Sequence, residues 1–350
     1  MAFNINNLVK ENIKGLTPYS SARDEFSGEA NIFLDANENS LGSPLPENYT
    51  RYPDPHQRAL KQKIAVVKQV APENIFLGNG SDECIDLLYR CFCESKQDNI
   101  IICPPTYGMY EVSANINDIE IRKAVLTPDF QLDINAIQSN IDAHTKIIWV
   151  CSPNNPSGNL LKKEDILRLL DDFQGLVVID EAYIDFAGQA SFTQILLEYP
   201  NLVVLQTFSK AWGMAGLRLG MAFASEAIVD ILDRVKPPYN INQVTQALAF
   251  EALDNAAKVK SETAELLRLR TQLAAQLQAL PLVKRIFPSD ANFLLVEVTN
   301  AQGIYNGLLQ NKIVVRDRHK VVRCDNCLRI TVGTAAENEG LVNSLMTLVK

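Results

Sequence analysis

The sequence has no apolar run of the roughly 20 residues needed to span a membrane. Its start, Met1-Ala-Phe-Asn-Ile-Asn-Asn-Leu-Val-Lys-Glu11, lacks the apolar centre of a signal peptide, so a cytoplasmic protein without membrane contact is expected. Positive charge is also in short supply: 33 Lys and Arg stand against 41 Asp and Glu, for a net charge of −8. This excludes a broad binder of the nucleic-acid backbone, which must neutralise many phosphates at once. A small anionic ligand stays open, because it needs only a local cationic pocket. Histidine is scarce. His56, His144 and His319 are scattered, and Cys324-Asp-Asn-Cys327 is a lone CxxC pair, so zinc lacks two ligands and no metal is expected. The seven cysteines are an odd number, and Cys84, Cys91, Cys93, Cys103 and Cys151 sit in apolar runs, which fits reduced core thiols. There is no internal repeat and no low-complexity segment.

What is present is ordinary globular composition, 47% hydrophobic and 21% charged over 350 residues, enough for about two domains. The organising stretch is an apolar, β-branched run at 202–206 that stops abruptly in Thr207-Phe-Ser209-Lys210, followed by small residues and Arg218. It reads as a buried strand running into a turn and a helical segment. A lysine at the edge of such a core is costly unless it has a partner or chemical work; alone, a solvated surface lysine is an equal reading. Runs at 147–151 and 176–180 have the same form and end in Ser152-Pro-Asn154-Asn155 and Asp180-Glu-Ala-Tyr183. Helical patterns at 163–173 and 191–198 separate these strands. Continuous apolar strands alternating with helices predict a parallel sheet covered on both faces, with ligands beyond the carboxyl ends of the strands. Asn155, Asp180 and Lys210 should therefore converge on one edge.

Upstream, a helix is expected at 57–71. A strand, a glycine turn and an apolar-periodic helix follow in Ile75-Phe-Leu-Gly78-Asn-Gly80-Ser81-Asp82-Glu83. Ser81, Asp82 and Glu83 read as helix capping, or as a phosphate cradle made by backbone amides, with both acidic side chains turned away. Residues 99–103 form a buried strand, and the proline-fixed loop after it presents Tyr107. A helix, a strand near 120–125 and a second helix fill 111–146. Residues 243–280 read as one helix long enough to link two domains. Beyond it, strands at 283–287, 292–298, 313–316 and 328–332 alternate with helices near 301–311 and 335–349, a smaller α+β unit. The division expected is an N-terminal arm and part of the small domain at 1–45, a large domain at 46–257 and a small domain at 258–350.

A lysine amine forms a Schiff base with a carbonyl. An aspartate holds a protonated ring nitrogen. An aromatic stacks on a flat ring. Glycine-turn amides with Ser, Thr and Arg hold a phosphate. These four demands together belong to pyridoxal 5′-phosphate (PLP).

At this point the chain resembles a known family over nearly its whole length, the fold-type I PLP enzymes and, within them, the histidinol-phosphate aminotransferases. The motifs are Leu16-Thr-Pro-Tyr19-Ser-Ser-Ala-Arg23, Leu34-Asp-Ala-Asn37-Glu-Asn39, Arg51-Tyr52-Pro, Gly78-Asn-Gly-Ser-Asp-Glu83, Pro104-Pro-Thr-Tyr107-Gly-Met-Tyr110, Cys151-Ser-Pro-Asn-Asn155-Pro-Ser157-Gly158, Asp180-Glu-Ala-Tyr183, Ser209-Lys210, Gly216-Leu-Arg218 and Leu328-Arg329-Ile-Thr-Val-Gly-Thr334. Each is weak alone; their order and number carry the resemblance. Ser157 departs from the Thr frequent there.

The resemblance implies a large domain with a mostly parallel sheet, a smaller α+β domain, and a set of roles. Lys210 would form the Schiff base and then shuttle a proton. Asp180 would pair with the ring nitrogen, Tyr183 and Asn155 with the ring hydroxyl oxygen, and Tyr107 would stack. Ser81, Asp82 and Glu83, with Thr207, Ser209 and Arg218, would hold the phosphate. Tyr52 would reach the site of a partner subunit in a homodimer. For substrate, Arg329 would grip the phosphate of histidinol phosphate in one half-reaction and the α-carboxylate of glutamate in the other, since guanidinium binds either anion bidentately. Arg316, Tyr19 and Asn37 would complete that pocket, with Tyr239 as a further wall; Arg316 also reads as a strand-end arginine in a surface ion pair. The reaction implied is L-histidinol phosphate with 2-oxoglutarate, in histidine biosynthesis. An aromatic amino-acid aminotransferase and a threonine-phosphate decarboxylase share the cofactor motifs. A non-catalytic binding module would want a missing lysine or an appended DNA-binding domain, and neither is seen.

Overall fold

The computed structural model describes residues 3–21 and 30–348; Arg23 of the first motif lies outside them. Seven strands form the larger sheet: β1 (Ile75–Asn79), β2 (Asn99–Ile102), β3 (Glu120–Lys123), β4 (Thr145–Cys151), β5 (Leu176–Asp180), β6 (Leu202–Thr207) and β7 (Leu219–Ala224). Their order is β1-β7-β6-β5-β4-β2-β3. β7 runs antiparallel to both neighbours, and the remaining pairs are parallel.

The apolar runs explain the burial. Side chains alternate across a strand, so Ile148, Val150, Val177, Ile179 and Val204 enter one core while Ile147, Trp149, Val178, Val203 and Leu205 enter the other. Every residue of β5 and β6 is buried, as a sheet covered on both faces requires. The helix Ser81–Phe92 covers one face with Cys84, Ile85, Leu88, Cys91 and Phe92.

The second sheet is antiparallel, in the order β10-β11-β9-β8: β8 (Val283–Ile286), β9 (Phe293–Val298), β10 (Arg316–Asp317) and β11 (Cys327–Thr331). Leu269, Leu273 and Leu277 of the helix Ala256–Gln278 pack on it, with Ile304, Leu308, Leu341 and Leu345 from the helices Ala301–Gln310 and Ala335–Thr347. Thr334 and Glu337 start the last helix with a reciprocal capping box.

Four expectations need correction. After Lys210 the chain makes a turn and the short 3-10 helix Ala215–Leu217, then returns as β7, a strand not anticipated. The span 243–280 is two helices, Gln243–Ala252 and Ala256–Gln278, separated by the 3-10 turn Leu253–Asn255. Asp254 and Asn255, weak helix formers, coincide with that break. The pattern at 191–198 is a 3-10 turn, Phe192–Ile195, whose Thr193 amide donates to the Ser191 hydroxyl. The strand expected at 313–316 reduces to Arg316–Asp317, with Val314 open to solvent.

The seven cysteines are free and buried. Among the described residues no helix is long and apolar enough to cross a membrane, and no His, Cys, Asp and Glu cluster gathers as a metal would need.

Candidate active site

Because β7 is antiparallel to both β1 and β6, the carboxyl ends of β1, β6, β5, β4 and β2 all reach the same edge of the sheet. A cavity of about 650 Å³ opens there, and β10 and β11 close its other side. It is lined by Asn155 after β4, Asp180 and Tyr183 at and after β5, Thr207, Ser209 and Lys210 at and after β6, and Arg218 before β7. The predicted convergence of three strand ends is thus observed. Ser81, Asp82 and Tyr107 join them, and so do Arg316 and Arg329 from the smaller sheet.

Asp180 is buried and directed into the cavity. Burial pushes its carboxyl above the usual range; the Tyr110 hydroxyl, donating at 2.6 Å, and the Ala182 amide, donating at 3.0 Å, oppose that shift. Tyr110 is itself fully buried and stacked on Trp149 at 4.6 Å. A buried Tyr in an apolar-periodic helix reads as core, and its 70-residue separation from Asp180 hides the contact.

Lys210 opens to the cavity with Nζ 5.4 Å from the Tyr183 ring centroid. Desolvation in the cavity and the Arg329 guanidinium pull its ammonium below the ordinary lysine value, while Asp180 and Asp82 pull the other way. The neutral amine, the nucleophilic form, is thereby made more accessible. Arg329 donates from Nη1 to Asn155 Oδ1 at 2.6 Å, joining the two sheets across the cavity.

The glycine turn forms a cradle at the start of the helix Ser81–Phe92. Gly80 has φ +72, and a Cβ there would meet Arg218 Nη2 at 2.6 Å. On the facing strand, a Cβ at Gly220 would lie 2.1 Å from the Ser81 amide nitrogen. Two backbones therefore approach as only glycine permits. Thr207 Oγ1 donates to Ser209 Oγ at 3.0 Å and accepts the Ser209 amide at 3.0 Å, which fixes both hydroxyls beside the cradle.

The acidic pair divides. Glu83 turns away as expected, accepting from the Asn79 amide and from Asn240 Nδ2 at 3.1 Å, and it does not line the cavity. Asp82 instead faces the cavity, contrary to expectation: it accepts from the Tyr107 hydroxyl at 3.0 Å and pairs with Arg218 at 3.3 Å. The physical reason is the Arg218 charge, which the carboxylate neutralises. Both partners are partly solvated, so the pair is weak and readily exchanged for a stronger anion.

Tyr52 and Asn37 are not in this cavity. They line a second one, of about 590 Å³, with Glu38, Thr50 and Arg51. Tyr239 belongs there too, stacked on Tyr52 at 4.4 Å, rather than on the wall where it was expected. Tyr19 lines neither cavity and is 73% exposed. Arg316 makes no ion pair among the described residues, against the surface-pair reading. Arg318 also lines the cavity; its two-residue offset from Arg316 is the sequence signal for it.

Residues 35–345 match the model of the family described as aminotransferase class I and II. The chain belongs to that family. It is 52% identical to the histidinol-phosphate aminotransferase of Cytophaga hutchinsonii over 347 residues, 99% of this chain and 100% of that one. The crystal structure of the histidinol-phosphate aminotransferase from Clostridium acetobutylicum is similar at 26% identity and a TM-score of 0.78, covering 86% of this chain and 91% of that one. The histidinol-phosphate aminotransferase from Sinorhizobium meliloti, solved in complex with pyridoxal 5′-phosphate, shares the fold at 22% identity and a TM-score of 0.79, covering 90% and 89%. The residues described here fit that cofactor: a buried carboxylate with two donors behind it, a lysine with depressed basicity, a ring-presenting loop and an amide cradle beside an arginine.

Proposed function

We propose that the chain transfers the amino group of L-histidinol phosphate to 2-oxoglutarate, giving 3-(imidazol-4-yl)-2-oxopropyl phosphate and L-glutamate, a step of histidine biosynthesis, with pyridoxal 5′-phosphate as cofactor. The observation that carries this reading is the single cavity in which Lys210, Asp180, Asn155 and Tyr183 face Arg316 and Arg329. The identity of 52% over nearly the full length supports it as well.

When bound, the cofactor supplies an aldehyde for the substrate amine and a ring that withdraws electrons from the amine-bearing carbon. Asp180 keeps the ring nitrogen protonated through a charge-assisted hydrogen bond. Tyr183 and Asn155 orient the ring oxygen, and Tyr107 covers one ring face. The backbone amides of Ser81, Asp82 and Glu83, with Thr207, Ser209 and Arg218, would hold the phosphate, the Asp82 carboxylate giving up Arg218 to it. Lys210 Nζ takes the proton from the amine-bearing carbon and returns it during transfer. Its depressed basicity supports that role, because a neutral amine is needed to accept the proton. Arg329 and Arg316 bind the substrate phosphate in one half-reaction and the α-carboxylate of glutamate in the other.

The same reading includes a homodimer in which Tyr52 reaches the partner's site, and Tyr19 and Asn37 complete a substrate pocket. Their distance from the main cavity and the exposure of Tyr52 and Tyr19 support a position at a subunit boundary. A division at 1–45, 46–257 and 258–350 is supported by the two sheets, each of which falls within one of the latter spans. Cytoplasmic residence is supported by seven free, buried thiols.

The test adds histidinol phosphate, phenylalanine or threonine phosphate separately to the cofactor-loaded protein without a keto acid. Conversion of the cofactor spectrum by histidinol phosphate at far lower concentration than phenylalanine is the expected result. Equal potency of phenylalanine would make it a broad aromatic aminotransferase. Reaction of threonine phosphate alone, with release of carbon dioxide, would make it a decarboxylase.

A further inference from the structure

Three arginines, Arg316, Arg318 and Arg329, line the small-sheet side of the cavity. Strand geometry places them together. Arg316 on β10 pairs across the ladder with Arg329 on β11. Arg318 follows Arg316 by two residues, the spacing that returns a side chain to the same face. Its amide donates to the Cys327 carbonyl at 3.0 Å, which extends the ladder past β10 and fixes its backbone.

The charge of this group is not cancelled from within. Asp317, between the first two arginines, is engaged by His319 Nδ1 at 2.7 Å. None of the three arginines makes an ion pair among the described residues. Arg329 uses one donor on Asn155. Arg318 is half-buried, and its Nε is buried with no hydrogen-bond partner. Desolvation, with Arg329 and Arg316 adding repulsion, lowers its guanidinium to about 10. Like charges facing each other across a ladder, and a buried donor left unsatisfied, both oppose folding. Such a cluster is matched by a ligand group carrying two negative charges and three acceptor oxygens. A phosphate monoester has both above its second pKa of about 6. A carboxylate has one charge and two oxygens, which a single bidentate guanidinium satisfies.

We propose that Arg318 is a specificity-determining residue that binds the dianionic phosphate monoester of the substrate, beyond the contacts of Arg316 and Arg329. The inference rests on the reading that this cavity takes a phosphate-bearing amine. Arg318 then separates phosphate esters from monoanionic esters of the same shape and from amino acids whose side chain carries no charge.

The test is calorimetric titration of the cofactor-loaded protein at pH 8 with propyl phosphate and with propyl sulfate, which match in size and differ in charge. The wild type should bind the phosphate at least about tenfold more tightly, the scale of one charge-assisted contact. Arg318→Gln should bring the ratio close to one, chiefly by weakening propyl phosphate. Arg318→Lys, which keeps the charge without the fork, should retain an intermediate ratio; it serves also if the glutamine variant does not fold. An unchanged phosphate-to-sulfate ratio in the folded variants overturns the proposal. Transamination of histidinol phosphate by the wild type is measured alongside. If it is absent while the ratio behaves as expected, the substrate reading fails and the role of Arg318 stands. If it is present with the ratio unchanged, only the role of Arg318 fails.

Discussion

The carboxylate of Asp180 depends on a residue whose sequence gives no hint of it. Tyr110→Phe keeps the ring stacked on Trp149 and removes only the hydroxyl that donates at 2.6 Å. Because that bond lowers the Asp180 pKa, its loss should raise it further. A carboxyl that is more often protonated holds a protonated ring nitrogen less well, and cofactor retention should fall about tenfold by equilibrium dialysis. Retention equal to wild type would show that the Ala182 amide suffices. The next residue in sequence makes a different case. Glu181 is buried, accepts from Ser191, the Phe192 amide and Gln206, and is pushed up by burial to about 7. Its folded pKa lies above the unfolded carboxyl value, so the stability it contributes is full below about 4.5 and is lost as pH rises through about 7. Glu181→Gln cannot titrate. The melting temperature of the wild type should therefore fall relative to this variant between pH 5 and pH 8, and parallel curves would rule the effect out. At this scale the sequence revealed groups whose chemistry is out of place in a core, such as Lys210 and Asp180. It hid Tyr110 and Asp82, whose roles depend on which way a side chain turns.

At the scale of elements, the strand ends were legible because β4, β5 and β6 are continuous apolar runs followed by polar residues. β7 was not, because Leu-Gly-Met-Ala-Phe-Ala lacks the β-branched residues that mark a strand. Yet this strand carries the contact that shapes the proposed anion cradle. Gly220→Ala would place a methyl 2.1 Å from the Ser81 nitrogen and 2.3 Å from the Gly80 carbonyl carbon, both backbone atoms that cannot rotate aside. The strand and the helix start must separate, with an expected loss of about 2–4 kcal/mol in chemical denaturation, the range of severe overpacking. Cofactor affinity should fall with it. A stable variant with normal affinity would mean that the cradle adapts. The break at Leu253–Asn255 was missed for a related reason: alanine- and leucine-rich flanks carry a strong helical pattern across a three-residue turn.

For the whole molecule, the second cavity presents apolar side chains to solvent, with Tyr49, Tyr52 and Val244 exposed on the wall they share with Tyr239. The Glu38 carboxylate accepts from the Tyr52 amide at 2.7 Å and holds Arg51, so this segment has a defined shape before it meets any partner. In the proposed dimer, Tyr52→Ala and Lys210→Ala subunits should each be nearly inactive alone. Mixed and refolded together in equal amounts, they should recover about a quarter of wild-type activity, since half of the dimers hold one intact site of two. No recovery would place Tyr52 in its own subunit's chemistry, and a fully active Tyr52→Ala variant would place it outside the chemistry altogether. The split into a larger and a smaller sheet was readable from where long apolar runs give way to short ones. How the two sheets meet was not, since a hydrogen bond such as Arg329 to Asn155 joins residues 174 positions apart. That separation also sets an order of assembly. A chain made from its amino end completes Lys210, Asp180 and the glycine cradle before Arg316 and Arg329 exist, and its large sheet can fold first. During synthesis, the proposed cofactor pocket can therefore form before the residues proposed to grip the substrate have been made.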